Sequence, residues 1–202
     1  MHCPAQINNV ECENSFTHPY LCFMATSKSP LIRPKDIELD KSIAVDARSG
    51  PGAIDRYVKN HLKGAIHVDL DKDLSSKPID PAYGGRHPLP DINNFAALLG
   101  KVGIVSSSHV VIYDDKSGAN AAARLWWMLR AVGHEKVHVV DGGLDAIIRD
   151  GLSMATGKED PRPASVYPVN KWLLPTVFLD KVIDAAESED SLVIDVRESY
   201  RY

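Results

Sequence analysis

Four short apolar runs, each ending at a polar turn, constrain this chain more than any other feature. Ser42-Ile43-Ala44-Val45-Asp46, Ala65-Ile66-His67-Val68, His109-Val110-Val111-Ile112-Tyr113 and Val137-His138-Val139-Val140 are rich in β-branched and aromatic residues. Runs this short and this apolar predict strands buried in a sheet. Helical patterns lie between and after them. Residues 53–62 read as a helix leading to Gly64, and Asp91 caps a second with Phe95, Leu98 and Leu99 on one face. Ser117–Val132 is the strongest, with Ala122, Trp126 and Leu129 on one stripe, Leu125 and Val132 beside it, and Gly133 to stop it. Residues 144–150 read as a short helix after the Gly142-Gly143 turn. Strands alternating with helices predict an α/β fold, a parallel sheet covered on both faces. Chemistry in such sheets gathers at the loops leaving the carboxyl ends of the strands, which here begin at Asp46, Val68, Asp114 and Asp141.

Residues 71–90 hold four prolines and the Gly84-Gly85 pair and read as a long irregular connection. Residues 25–151 then make one complete domain. Residues 152–172 read as a linker, because Gly157, Lys158, Glu159, Asp160, Pro161, Arg162 and Pro163 are polar and helix-breaking. After it, Pro175 and Thr176 open a helix with Phe178, Val182, Ile183 and Ala186 facing inward, and Leu192–Asp195 reads as a strand. One internal match explains this tail. Ser42-Ile43-Ala44-Val45-Asp46-Ala47-Arg48 can be laid on Ser191-Leu192-Val193-Ile194-Asp195-Val196-Arg197, 149 residues further on. An offset of that size is a domain length rather than a solenoid repeat. Residues 173–202 are therefore expected to be the truncated start of a second copy.

The chain has 202 residues, of which 44% are apolar, enough for one core of ~100–150 residues but not for two. A net charge of −4 argues against a general nucleic-acid or anionic-membrane binder, and no apolar run approaches the ~20 residues that span a bilayer. All three cysteines, Cys3, Cys12 and Cys22, precede the first recognisable element. No disulfide framework can form in the folded part, which fits a reducing, cytoplasmic setting. Residues 1–24 read as a disordered extension. Spacings of nine and ten residues between those cysteines match no common metal pattern, so neither a metal nor a cofactor is expected.

Several segments resemble the rhodanese superfamily, in particular the two-domain thiosulfate and 3-mercaptopyruvate sulfurtransferases. They are Asp46-Ala47-Arg48, His61-Leu62-Lys63-Gly64-Ala65, Arg86-His87-Pro88-Leu89-Pro90, Tyr113-Asp114-Asp115 ahead of Gly118 and Arg124-Leu125-Trp126-Trp127, and Asp141-Gly142-Gly143. The resemblance runs from about Leu31 to the last residue. It implies a rhodanese-like domain followed by part of a second. For the complete protein it implies transfer of sulfane sulfur from thiosulfate or 3-mercaptopyruvate, small anionic donors, to a thiol or cyanide acceptor. The carrier is a cysteine persulfide. It implies no nucleic-acid or membrane partner.

Most of the motif residues read as structural. Asp46 and Arg48 tie down a strand end, His61 braces helix carbonyls, and Gly64 permits a turn with positive φ. Trp126 and Trp127 point to different sides of their helix, one to the core and one to a layer contact. Function is expected in the loop from Asp114 to Gly118. Active rhodanese domains place a cysteine at that strand end, with backbone N–H groups converging on its sulfur. Anchored on Gly118, the cysteine position falls on Asp115, so this domain is expected to be catalytically silent. Asp114-Asp115 as a Mg²⁺-dependent phosphoryl-transfer pair is the weaker reading, since no second acidic strand end pairs with them. In the second copy, Arg201 matches the arginine that contacts the anionic substrate in the resembled enzymes, a role suited to a bidentate guanidinium. A non-catalytic rhodanese-like binding module is the alternative from another class.

Overall fold

The computed structural model describes residues 29–77, 80 and 85–195. The leader with its cysteines, and Arg201, lie outside the described residues. The strands are β1 (Leu31–Ile32), β2 (Ser42–Asp46), β3 (His61–Leu62), β4 (Ile66–His67), β5 (His109–Tyr113), β6 (Val137–Val140) and β7 (Met154–Ala155). The α-helices are α1 (Ala53–Lys59), α2 (Ile92–Lys101), α3 (Ala121–Ala131), α4 (Gly143–Arg149) and α5 (Leu179–Glu187). Five strands form one sheet in the order β1-β6-β5-β2-β4, every neighbouring pair parallel. This is the expected α/β architecture.

The two-residue period of a strand divides the core. On β5, Val110 and Ile112 face a cluster with Phe95 and Leu99 of α2 and Leu125, Met128 and Leu129 of α3. Val111 and Tyr113 face the opposite way, onto Leu144 and Ile147 of α4 and Leu62 of β3. Both faces are covered, which is why β2 and β5 needed such apolar sequences.

The differences from the sequence reading have local causes. The first helix stops at Lys59 rather than running to residue 62, because His61 and Leu62 leave it to pair antiparallel with β7. The helix expected from Ser117 begins at Ala121, since Ser117 and Gly118 both take positive φ (57° and 85°) and belong to a loop. Residues 152–172 are not a free linker. They contribute β7, and further on they carry Tyr167 into the core, where it is only 5% exposed.

Two glycines admit that strap. A Cβ on Gly100 would lie 2.6 Å from the Ser165 carbonyl oxygen, and one on Gly103 would lie 2.5 Å from that of Arg162. Trp172 then stacks on Phe95 (5.4 Å between ring centroids) and Trp127 (6.3 Å). So Trp127 makes the layer contact, while Trp126 packs against the core and donates to the Val137 carbonyl.

Beyond the strap the packing ends. No residue of α5 is buried, which overturns the inward placing of Phe178, Val182, Ile183 and Ala186. Phe178 is 81% exposed and Leu192 82%, and residues 191–195 form no strand.

Candidate functional site

Two strand ends at the centre of the sheet, paired in register as Asp46 and Tyr113, lead into the loops where chemistry was expected. After β2, the chain turns so that Arg48 reaches back to Asp46. Its Nη2 donates at 2.6 Å to one carboxylate oxygen, and its Nε lies 3.0 Å from both. Both side chains are essentially sealed from solvent. Burial alone would lower the Arg48 guanidinium, but the hydrogen bonds and charge of Asp46 outweigh it and hold the group above its ordinary value. A second Nη2 bond to the Asn60 carbonyl ties this pair to the end of α1. The pair is a brace between the end of β2 and the end of α1.

His61 sits on a strand, not at a helix end, and packs back on α1. Its Nδ1 lies 2.9 Å from the Tyr57 carbonyl and its ring stacks on the Tyr57 ring at 4.2 Å. Gly64, at φ 79°, makes the turn that aims its N–H at the Glu159 carboxylate, 3.0 Å away. Arg124 spans three carbonyls, those of Leu74, His87 and Pro88, and so pins both ends of the long irregular loop. Burial lowers its guanidinium below the ordinary value.

The loop after β5 is where amides converge. The Asp114 carboxylate, 1% exposed, accepts from Lys116 N and Gly118 N at 2.8 Å each on one oxygen. The other oxygen accepts from Asn120 N at 3.2 Å and Ala122 N at 3.1 Å. Asn120, at the cap position of α3, supplies no side-chain cap, so Asp114 does that work. The sequence reading put the ring around Asp115. The structure places it one residue earlier, because positive φ at Ser117 and Gly118 curls the loop back over the strand end. Asp115 points away and pairs with Arg56 at 3.1 Å, the guanidinium of which also holds the Ser49 and Pro51 carbonyls. Two carboxylates adjacent in sequence thus face different surroundings and do not form a metal-binding pair. Among the described residues, no group of three or more His, Cys, Asp or Glu side chains is arranged to hold a metal ion.

Gly118 and Gly143 keep the loop closed. A Cβ on Gly118 would meet Val139 at 2.6 Å. Gly143, at φ 57°, sits so close that its Cβ would lie 2.5 Å from the Asp114 carbonyl oxygen. The signal for Gly143 was the Gly142-Gly143 pair. Gly142 opens α4 at φ 77°, while Gly143 lets the loop rest on it. Asp141 is exposed beside the edge strand β1, away from the amide ring, and its N–H donates to the Ile32 carbonyl. Arg56, Ser49 and Asn120 also frame the loop. Asn120 Nδ2 donates to Ser49 Oγ at 3.2 Å. Nothing in their sequence spacing marked them, because they come from three separate segments, Ser49 after β2, Arg56 on α1 and Asn120 ahead of α3.

A parallel sheet with helices on both faces, and a strand-to-helix loop whose amides close on the buried Asp114 carboxylate, define an α/β domain with its candidate site at the carboxyl ends of the central strands. The model of the rhodanese-like domain matches residues 34–150, and the chain belongs to that family. It is 40% identical over 134 residues to a Pseudomonas aeruginosa protein named "Probable 3-mercaptopyruvate sulfurtransferase", a match covering 66% of this chain and 46% of that protein. It is 35% identical over 159 residues to human 3-mercaptopyruvate sulfurtransferase, covering 76% of this chain and 50% of the relative. The solved 3-mercaptopyruvate sulfurtransferase from Leishmania major superposes with a TM-score of 0.69 at 31% identity, over 77% of this chain and 45% of that one. The chain thus spans about half the length of the curated relatives it matches.

Proposed function

We propose that the complete protein is a rhodanese-type sulfurtransferase and that residues 25–151 are its silent first domain. The observation that carries this is the buried Asp114 carboxylate, which takes four backbone N–H groups where a persulfide-forming thiolate would need them. A carboxylate cannot accept a sulfane sulfur, and its charge repels anionic thiosulfate. From residue 23 onward the chain has no cysteine to replace it. The first domain then supplies a scaffold and one wall of a cleft, and a second domain supplies the nucleophile.

The reaction proposed for the complete protein balances simply. An enzyme thiolate attacks the outer sulfur of thiosulfate, the donor S–S bond breaks, and sulfite leaves with the bonding pair. With 3-mercaptopyruvate the C–S bond breaks instead, and pyruvate leaves as its enolate and takes up a proton. Cyanide or a thiolate then attacks the outer persulfide sulfur and releases the enzyme thiolate. Arg201, four residues after the arginine of the second Asp-x-Arg segment, is proposed to hold the donor's sulfonate or carboxylate by two parallel N–H bonds. Placement in a reducing cytoplasm rests on the absence of cysteines from the folded part. No helix among the described residues is long and apolar enough to cross a membrane.

The test is turnover of thiosulfate and cyanide by the 202-residue chain. No rate above the uncatalysed reaction is expected, and a rate abolished by thiol alkylation would overturn the reading. The second reading, a non-catalytic binding module, draws on the same closed amide ring. The downstream reading frame separates them: Cys-x-x-Gly after a strand supports the enzyme, and a stop after Tyr202 supports the module.

A further inference from the structure

The strap over α2 and α3 is fastened by one hydrogen bond between two buried side chains. His134, 1% exposed at the end of α3, has Nε2 at 3.0 Å from the Ser108 carbonyl and Nδ1 at 2.9 Å from the Tyr167 hydroxyl. A carbonyl can only accept, so Nε2 carries the proton of the neutral ring and Nδ1 accepts from Tyr167. Three backbone bonds dock the rest of the strap. Ala164 N donates to Gly100 O at 2.8 Å, Tyr167 N to Ala96 O at 3.2 Å, and Leu173 N to Ala131 O at 2.7 Å. Each is local to the strap, whereas the sheet is held by its own ladders.

We propose that the His134–Tyr167 bond is an acid-labile clasp: protonating His134 releases residues 160–173 from α2 and α3 while the five-stranded sheet stays folded. Once Nδ1 carries a proton it can no longer accept from Tyr167, whose O–H must then turn away from the ring towards the exposed Ser106 hydroxyl beside it. Tyr167 faces the ring from the strap and the Ser108 carbonyl from the loop before β5. Arg130 lies near it on α3 and His109 on β5, both adding to the penalty for a cation. Burial is the largest cause; with Arg130 and His109 it outweighs the backbone hydrogen bonds at Ser108 and Lys136, which favour the cation, and His134 is held below the ordinary histidine value. The folded state therefore favours the neutral ring. Its stabilisation is complete well above the unfolded value of ~6.5 and is lost as pH falls below it. Release uncovers Phe95 and Trp127, on which Trp172 stacks, and frees the approach to α5. This inference does not depend on the sulfurtransferase reading.

Amide hydrogen exchange on the full chain tests it, with rates expressed relative to the intrinsic exchange rate at each pH. Between pH 7.5 and 5.0 the protection of Ala164, Tyr167 and Leu173 is expected to fall about tenfold, because the neutral ring favoured by the folded state must take up a proton. Protection of Val110 and Ala47, whose N–H groups bond within the sheet region, is expected to hold. Tyr167→Phe keeps the ring but removes the hydroxyl, and is expected to lower strap protection already at pH 7.5 and to flatten the pH response. His134→Gln is expected to remove the response altogether. A fall shared equally by strap and sheet, no fall, or an undiminished pH response in Tyr167→Phe would each overturn the clasp.

Discussion

Ser42–Asp46 and Ser191–Asp195 are nearly the same sentence written twice, yet only the first becomes a strand. Ser42–Asp46 pairs along its full length with β5 on one side and with β4 at its carboxyl end on the other. Val45 is fully buried, while its counterpart Ile194 is 72% exposed. Local sequence supplies the extended tendency and the apolar side chains. Neighbouring strands supply the hydrogen-bond partners, and without them a lone apolar run gains neither a ladder nor burial. The same holds for α5, whose periodic apolar residues meet no second layer.

The largest effect that separates the two copies lies at their acidic ends. Arg48→Ala leaves the buried Asp46 carboxyl without its cationic partner, and is expected to cost about 3–5 kcal/mol of unfolding free energy in a urea titration. A loss under 1 kcal/mol would mean that water reaches Asp46 in solution. Asp114→Asn is expected next, at about 2–4 kcal/mol. The amide keeps one acceptor oxygen and presents an NH₂ to two of the four loop N–H groups. Far-UV dichroism followed through the same titration reads that loss, and an unchanged midpoint would remove Asp114 as the organiser of the loop.

Core truncation draws the comparison directly. Val45→Ala deletes two methyl groups from a closed core and is expected to cost about 1–3 kcal/mol. Ile194→Ala deletes more from an exposed site and is expected to stay within about 0.5 kcal/mol. Thermal melts of the two variants side by side sharpen the contrast. Comparable losses would mean that residues 191–195 are buried in solution against a surface this structure leaves bare.

Legibility followed the same division. Strands β2, β5 and β6 were readable because their apolar runs report burial on both faces, a property each segment carries by itself. The Asp91 cap was readable for the same reason, since its carboxylate bonds the Asn93 and Asn94 amides just ahead of it. What escaped depends on contacts made from far along the chain. Nothing near His61 announces that Ala155 will pair with it, nor does Gly100 announce the Ser165 carbonyl against it. In the candidate site the loop amides close on Asp114, one residue before the Asp115 position reached by anchoring on Gly118. The difference turns on φ at Ser117, which a serine seldom takes at positive values.

A modest expected effect probes the strap's other end. The Glu159 carboxylate accepts from the Gly64 N–H and lies 3.5 Å from His61 Nε2, while its own N–H donates to Tyr57 Oη at 3.1 Å. The Gly64 bond is the largest cause that holds this carboxyl below its ordinary value, with His61 adding to it against a small burial penalty. Because the folded value is depressed, the stabilisation is full above the unfolded value of ~4.3 and fades as pH falls through the lower folded one. The side chain is about one-third exposed, so solvent screening keeps the effect modest. Glu159→Gln is expected to lower the melting temperature at pH 7 by only a few degrees, in line with a loss of about 0.5–1 kcal/mol. The gap between variant and native chain should close as pH is taken from 5 towards 3. A gap that stays constant over that range would assign the contribution of Glu159 to packing instead of charge, leaving the tie between strap and β3 to the β7 ladder alone.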